Sequence, residues 1–191
     1  MTSQISDPKP VILFYSYSHK DEKMREVLAA HLSPLKRQGV IKEWYDREIG
    51  AGEEWQDAID EHLEGADIIL LLVSAFFIAS DYCWGKEMVR ALKRHDAGEA
   101  VVIPIIVRPV DWSGAHFGRL QALPKDAKPV TRWANRDAAW VDVAKGIRKV
   151  AEALAAGLPV ERAPTGLSRI VHWRYLVAGS TGKGKGKARR R

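Results

Sequence analysis

The chain alternates between short, unbroken apolar runs and longer stretches in which apolar residues return every three or four positions. The first run, Val11-Ile12-Leu13-Phe14-Tyr15-Ser16-Tyr17-Ser18, shows little polar alternation and predicts a strand covered on both faces. Met24, Val27, Leu28, His31, Leu32 and Leu35 then form one helical stripe that stops near Gly39, with His31 at the edge of the core. Val40 to Tyr45 predicts a second strand. It leads into the polar loop Asp46-Arg47-Glu48-Ile49-Gly50-Ala51-Gly52 and a helix with Trp55, Ala58, Ile59, Leu63 and Ala66 on one face. Asp67 to Ser74 is the most apolar run and predicts a central strand. A single helix from about Phe76 to His95 follows, carrying Trp84, Met88, Ala91, Leu92 and His95 on one face. Val101 to Val107 predicts a fourth strand, and its Pro104, which cannot donate to a ladder, belongs at an edge or a bulge. A short strand from Pro129 to Trp133 and a last helix with Val143, Ile147, Val150, Ala151 and Leu154 on one face complete five β/α units.

Such alternation implies an α/β fold: a five-stranded parallel sheet in the order 2-1-3-4-5 with helices on both faces. Ligands in such sheets bind beyond the carboxyl ends of the strands, here at the switch between strands one and three. Tyr15 to Ser18, Ser74 to Phe77 and the helix that bears Glu87 should converge there. Glu87 is the singular residue of that helix, because it shares the face of Trp84 and Met88 and a carboxylate is seldom buried without a partner. An ion pair with Arg90 at i, i+3 would also account for it, at about 0.2–0.5 kcal/mol.

Two alternatives on the same fold lack their residues. A phospho-receiver domain needs acids after strand one and an aspartate ending strand three, where this chain has Ser16 to Ser18 and Ser74. Gly50-Ala51-Gly52 follows the second strand and lacks the third glycine of a dinucleotide-binding fingerprint.

The composition, 46% hydrophobic over 191 residues, suits one domain with a substantial core. Its formal net charge of +6 suggests a nucleic-acid partner until the charges are located. Lys183, Lys185, Lys187, Arg189, Arg190 and Arg191 account for the whole excess, so the basic signal belongs to the tail, which reads as a solvated low-complexity end rather than a nucleic-acid arm. Residues 157–191 are expected to be linker and tail, residues 1–10 a disordered start, and 11–156 the domain. One cysteine, Cys83, excludes an internal disulfide framework and fits a reducing compartment. The polar start lacks a secretory apolar segment, and the run from Ile68 to Ala79 is too short to span a bilayer. A cytoplasmic protein without a membrane span is expected.

Three linked blocks in order, Leu13 to Ser18, Asp46 to Trp55 and Ser80 to Glu87, resemble the Toll/interleukin-1 receptor (TIR) domain family, in particular its bacterial branch. The resemblance covers about Val11 to Leu154 and implies a flavodoxin-like TIR fold. It also implies one of two functions, because TIR domains are homotypic assembly modules and, in many bacterial and plant members, enzymes that cleave NAD at the nicotinamide–ribose bond, acting in immune or stress signalling. Glu87 aligns with the catalytic glutamate of the enzymatic members. The Asp46 to Trp55 block, with Ile49, Gly50, Gly52 and Trp55, matches the assembly loop, which usually borders the active site. Some members place an aromatic four residues before the glutamate, where this chain has Cys83, with Trp84 one place later.

The implied reaction is hydrolysis or cyclisation, with NAD as substrate, no other cofactor and no metal. A lone carboxylate suffices for it, since nicotinamide leaves from a pyridinium and needs no proton, and the acid can stabilise the oxocarbenium-like charge. Tyr15, Tyr17, Phe76 and Trp84 are candidates for an aromatic wall around the ring, Tyr15 and Trp84 foremost. Ser16, Ser18 and Ser74 are candidates for ribose or phosphate contacts, and Asp46 and Arg47 for contacts from the loop. Activation would come from self-assembly through TIR–TIR contacts or from a separate sensor protein. The competing expectation is a non-enzymatic adaptor module in which the loop matters and Glu87 does not.

Overall fold

A computed structural model of the protein describes residues 9–44, 55–81 and 85–160. The Asp46 to Gly52 loop residues, Cys83, Trp84, the start of the chain and the tail from residue 161 lie outside the described residues.

Strands β1 (Val11–Ser16), β2 (Ile41–Trp44), β3 (Ile68–Val73) and β4 (Val101–Ile106) form one sheet in the order β2-β1-β3-β4, every pair parallel. The described helices are α1 (Glu22–Arg37), α2 (Trp55–Gly65), α3 (Ala75–Ile78), α4 (Lys86–Ala97) and α5 (Arg136–Ala155). Every residue of β3 and of β4 is buried, as continuous apolar runs in a doubly covered sheet require. Alternate strand residues sort the core into two layers. Leu13, Leu70 and Ile103 pack with Leu28 and Leu32 of α1 and Trp140, Val143 and Ile147 of α5. Phe14, Ile69, Leu71 and Val102 pack with Ile59 and Leu63 of α2, Phe77 of α3 and Met88 and Leu92 of α4. Helix α1 ends as the sequence predicts, at Gly39 with φ +70°, where the left-handed turn lets Val40 N–H bond back to the Leu35 carbonyl.

Two expectations are corrected. Residues 130–132 form a 3-10 turn rather than a fifth strand. The place beside β4 is taken by one residue, Leu123, in an isolated parallel bridge with Ile105, and a cis bond to Pro124 follows at once. Leu123 N–H bonds to the Pro104 carbonyl and the Ile106 N–H to the Leu123 carbonyl, both at 2.8 Å. Pro104 therefore turns its donorless side outward, away from β3, which is how a proline fits this strand. Prolines at 124 and 129 lack the N–H that a longer fifth strand would need on this stretch. Among the described residues, the single helix expected from Phe76 to His95 is interrupted. α3 ends at Ile78, and α4 starts afresh after Gly85, whose backbone is extended.

Glu43 on β2 is buried and receives the Tyr15 phenol at 2.6 Å and the Lys36 ammonium at 3.3 Å. Burial first, and then the negative charge of Glu43, push the Tyr15 pKa well above its ordinary value. The stability tied to that protonated phenol is whole below pH ~10, and it is lost as pH climbs through the raised native value, because the unfolded chain ionises first. Tyr15→Phe is accordingly expected to cost about 1 kcal/mol at neutral pH and to flatten the loss of stability above pH ~10. Urea denaturation at neutral and alkaline pH checks this; equal alkaline slopes in both proteins would contradict it.

Candidate functional site

At the carboxyl ends of β1 and β2 the chain leaves an open cleft of about 280 Å³. Phe14, Trp44, Ile59 and Phe77 give it an apolar floor, and Ser16, Ser18, His19 and Ser80 line it with hydroxyls and an imidazole, together with Tyr15 and Tyr17. The floor is built in layers. Phe14 stacks on Trp44 with centroids 5.3 Å apart, and His62 of α2 stacks on Trp44 at 4.0 Å. With these two rings against it, Trp44 serves as wall rather than as a platform for a ligand ring.

The residues singled out in the sequence fare differently. Ser16, Tyr17 and Ser18 reach the cleft. The Ser18 hydroxyl also accepts from Lys20 N–H at 3.4 Å, capping the 3-10 turn His19–Asp21. Tyr17 meets His19 edge-on at 6.2 Å and lies under the Arg25 guanidinium at 5.9 Å. Tyr15 lines the cleft, but its phenol is committed to Glu43 in the α1 layer. Ser74 is fully buried, donates to Asp21 and accepts from Phe77 N–H at 3.1 Å, so its hydroxyl caps α3 instead of facing a ligand. Phe76 is 49% exposed, and its neighbour Phe77 takes the place in the floor. Trp55 opens α2, while Asp46, Arg47, Ile49, Gly50, Gly52 and Trp84 lie outside the described residues.

Glu87 occupies the first turn of α4, half-buried, where the positive end of the helix favours an acid. Arg90, one turn on, reaches Asp60 at 3.4 Å and Glu64 at 3.0 Å on α2. The carboxylate folds back over Gly85: a Cβ there would lie 2.6 Å from Glu87 Oε2 and 2.8 Å from the Asp81 carbonyl oxygen. Asp81 directly follows the cleft residue Ser80, which sets Glu87 beside the lining rather than within it.

The sequence places Phe77 near the strand ends without a role, and it does not single out Trp44 or the acid Asp21. Asp21 is buried and accepts from Arg108 Nε at 2.7 Å, 87 positions along the chain, a separation that no local pattern reveals. Among the described residues, no group of three or more His, Cys, Asp or Glu is placed to hold a metal ion. No described helix is long and apolar enough to cross a membrane.

The TIR-domain family model matches residues 13–155, from within β1 to the end of α5. The chain belongs to the TIR family. An uncharacterized protein, y4lF, of Sinorhizobium fredii (strain NBRC 101917 / NGR234) is 58% identical over 139 residues, and the match spans 73% of this chain but 43% of that relative. Among solved structures, the TIR domain of the Toll-related receptor TRR-2 from Hydra magnipapillata is similar at 18% identity and a TM-score of 0.47, over 72% of this chain and 96% of that one. A prokaryotic SEFIR domain is similar at 16% identity and a TM-score of 0.43, over 82% and 99%. The TIR domains of the activated Roq1 resistosome, described as directly recognizing the pathogen effector XopQ, are similar at 18% identity and a TM-score of 0.42, over 76% and 82%.

Proposed function

We propose that this TIR domain cleaves the nicotinamide–ribose bond of NAD as a hydrolase or cyclase, with self-assembly completing the site, in bacterial immune or stress signalling. The observation that supports the reading is the place of Glu87: a half-buried carboxylate in the first turn of α4, folded over Gly85 and beside the cleft at the carboxyl edge of the sheet. The cleft suits one end of the substrate. Its volume, about 280 Å³, is near the lower limit for ligand pockets, which fits a nicotinamide riboside better than a whole dinucleotide. Its apolar floor suits a planar ring, and Ser16, Ser18 and Ser80 suit ribose hydroxyls.

In the reaction the C–N bond breaks with its electron pair passing to the nicotinamide nitrogen. Positive charge grows on the ribosyl carbon, and Glu87 stabilises it there. Water then adds and gives up a proton, or a nucleophile within the substrate closes a ring.

Gly85 makes the reading testable without touching the acid. Its missing Cβ leaves room for the Glu87 carboxylate, and a methyl there would crowd both Glu87 Oε2 and the Asp81 carbonyl oxygen, so the head of α4 must shift locally. Gly85→Ala is expected to lower nicotinamide release by about tenfold or more while the fold holds, since misplacing a catalytic group is costly. Release per protein should also rise with protein concentration if assembly completes the site. Chromatographic assay of nicotinamide checks both, and full activity in Gly85→Ala would contradict the assignment. The competing reading, a non-enzymatic interaction module, is favoured by Glu87 standing outside the residues that line the cleft.

A further inference from the structure

Three loops at the carboxyl edge of the sheet meet on one buried carboxylate for which the proposed reaction has no direct use. Asp21, in the turn after β1, has a side chain with no solvent exposure. Its Oδ1 accepts from Arg108 Nε at 2.7 Å, and its Oδ2 accepts from the Ser74 hydroxyl. Ser74 in turn accepts the Phe77 N–H, fixing the start of α3. Arg108 follows β4 and is anchored by its own backbone N–H to the Val73 carbonyl at 3.4 Å, while its side chain is 41% exposed. The segments after β1, β3 and β4 are thus tied through a single acid. Two of them build the cleft, for His19 stands two residues before Asp21, and Phe77 three after Ser74.

We propose that Arg108 is a positioning residue that acts through Asp21 and Ser74 to hold the His19–Asp21 turn and the start of α3 at a fixed separation, and so sets the width of the cleft. A buried carboxylate that lost its cation would have to take up a proton, admit water or turn outward. Any of these releases the bond to Ser74 along with the one to Arg108, so the two walls loosen together. A salt bridge that merely neutralised Asp21 would give stability without linking the walls. The activity arm of the test rests on the NAD reading; the structural arm does not.

Amide hydrogen exchange on the full chain is the test, with wild type, Arg108→Gln, Arg108→Lys and Ser74→Ala compared. In Arg108→Gln, amides of residues 17–22 and 75–80 should exchange about tenfold faster together, with α5 unchanged. Arg108→Lys, which keeps the charge, should restore most of the protection in both segments. Ser74→Ala should loosen 75–80 and spare 17–22. If Arg108→Gln loosens the whole domain, the Lys and Ser74 patterns decide the matter alone. In nicotinamide release, KM should rise several-fold in Arg108→Gln, and as much for nicotinamide riboside as for NAD. Exchange that changes only around residue 108 would overturn the proposal. An effect on NAD that spares nicotinamide riboside would also overturn it, since that pattern assigns Arg108 to a phosphate contact. Should wild type release no nicotinamide at all, the proposed reaction falls, and the exchange pattern still decides the role of Arg108.

Discussion

Glu87→Gln is expected to lower the rate of nicotinamide release at saturating NAD by about 10²–10³-fold, with little change in the melting temperature. Loss of one preorganised group that faces developing charge has effects of that order. The amide keeps the shape of the side chain and its place over Gly85, so a loss reports on charge rather than packing. Stability should fall by about 1 kcal/mol or less, the scale of the interaction between an acid and the head of a helix that the amide gives up. Rate measurement beside a thermal melt checks this. A variant that retains most of its rate, or one that melts far below wild type, would show that Glu87 serves the fold and not the chemistry.

Phe77→Ala is expected to have the largest effect on stability, about 3–5 kcal/mol. Phe77 is 1% exposed, packs against Phe117 with centroids 6.2 Å apart, and forms part of the cleft floor. Truncation leaves a void against the cleft, which water can enter, and α3 is too short to be stable by its own backbone bonds. Urea denaturation should show the midpoint falling, and Phe76→Ala, at the exposed neighbour, should change stability by about 0.5 kcal/mol or less. Equal effects at the two positions would refute the phase assigned to α3.

That phase shows where the sequence stopped being legible. The strands could be read because β3 and β4 are covered on both faces, which leaves unbroken apolar runs such as Ile68–Val73, and alternation with helices then implies their parallel order. Apolar spacing continues from Phe76 to His95 and predicts one helix, and Phe76, not Phe77, is the candidate that the sequence offers near the strand end. The break was nonetheless written in the chain, in Ser74 capping α3 and Gly85 preceding α4. The strand expected over Pro129 to Trp133 is a 3-10 turn for a different reason. Pro129 to Trp133 carries β-forming residues, but the hydrogen bonds beside β4 go to Leu123, and only the folded chain shows which segment arrives there. Glu87 draws notice in the sequence because a carboxylate on an apolar helix face stands out. Asp21 does not, because its partners Ser74 and Arg108 lie 53 and 87 residues away.

Cleavage of the nicotinamide–ribose bond by this TIR domain, with Glu87 as the acting carboxylate, can be tested directly. Concentrated wild-type protein and Glu87→Gln, each incubated with NAD with and without a crowding agent, should be assayed side by side for nicotinamide and for the ADP-ribosyl product. Equal amounts of the two products are expected from wild type and almost none from the variant. No release from wild type under conditions where it demonstrably assembles, or equal release from both proteins, would contradict this expectation.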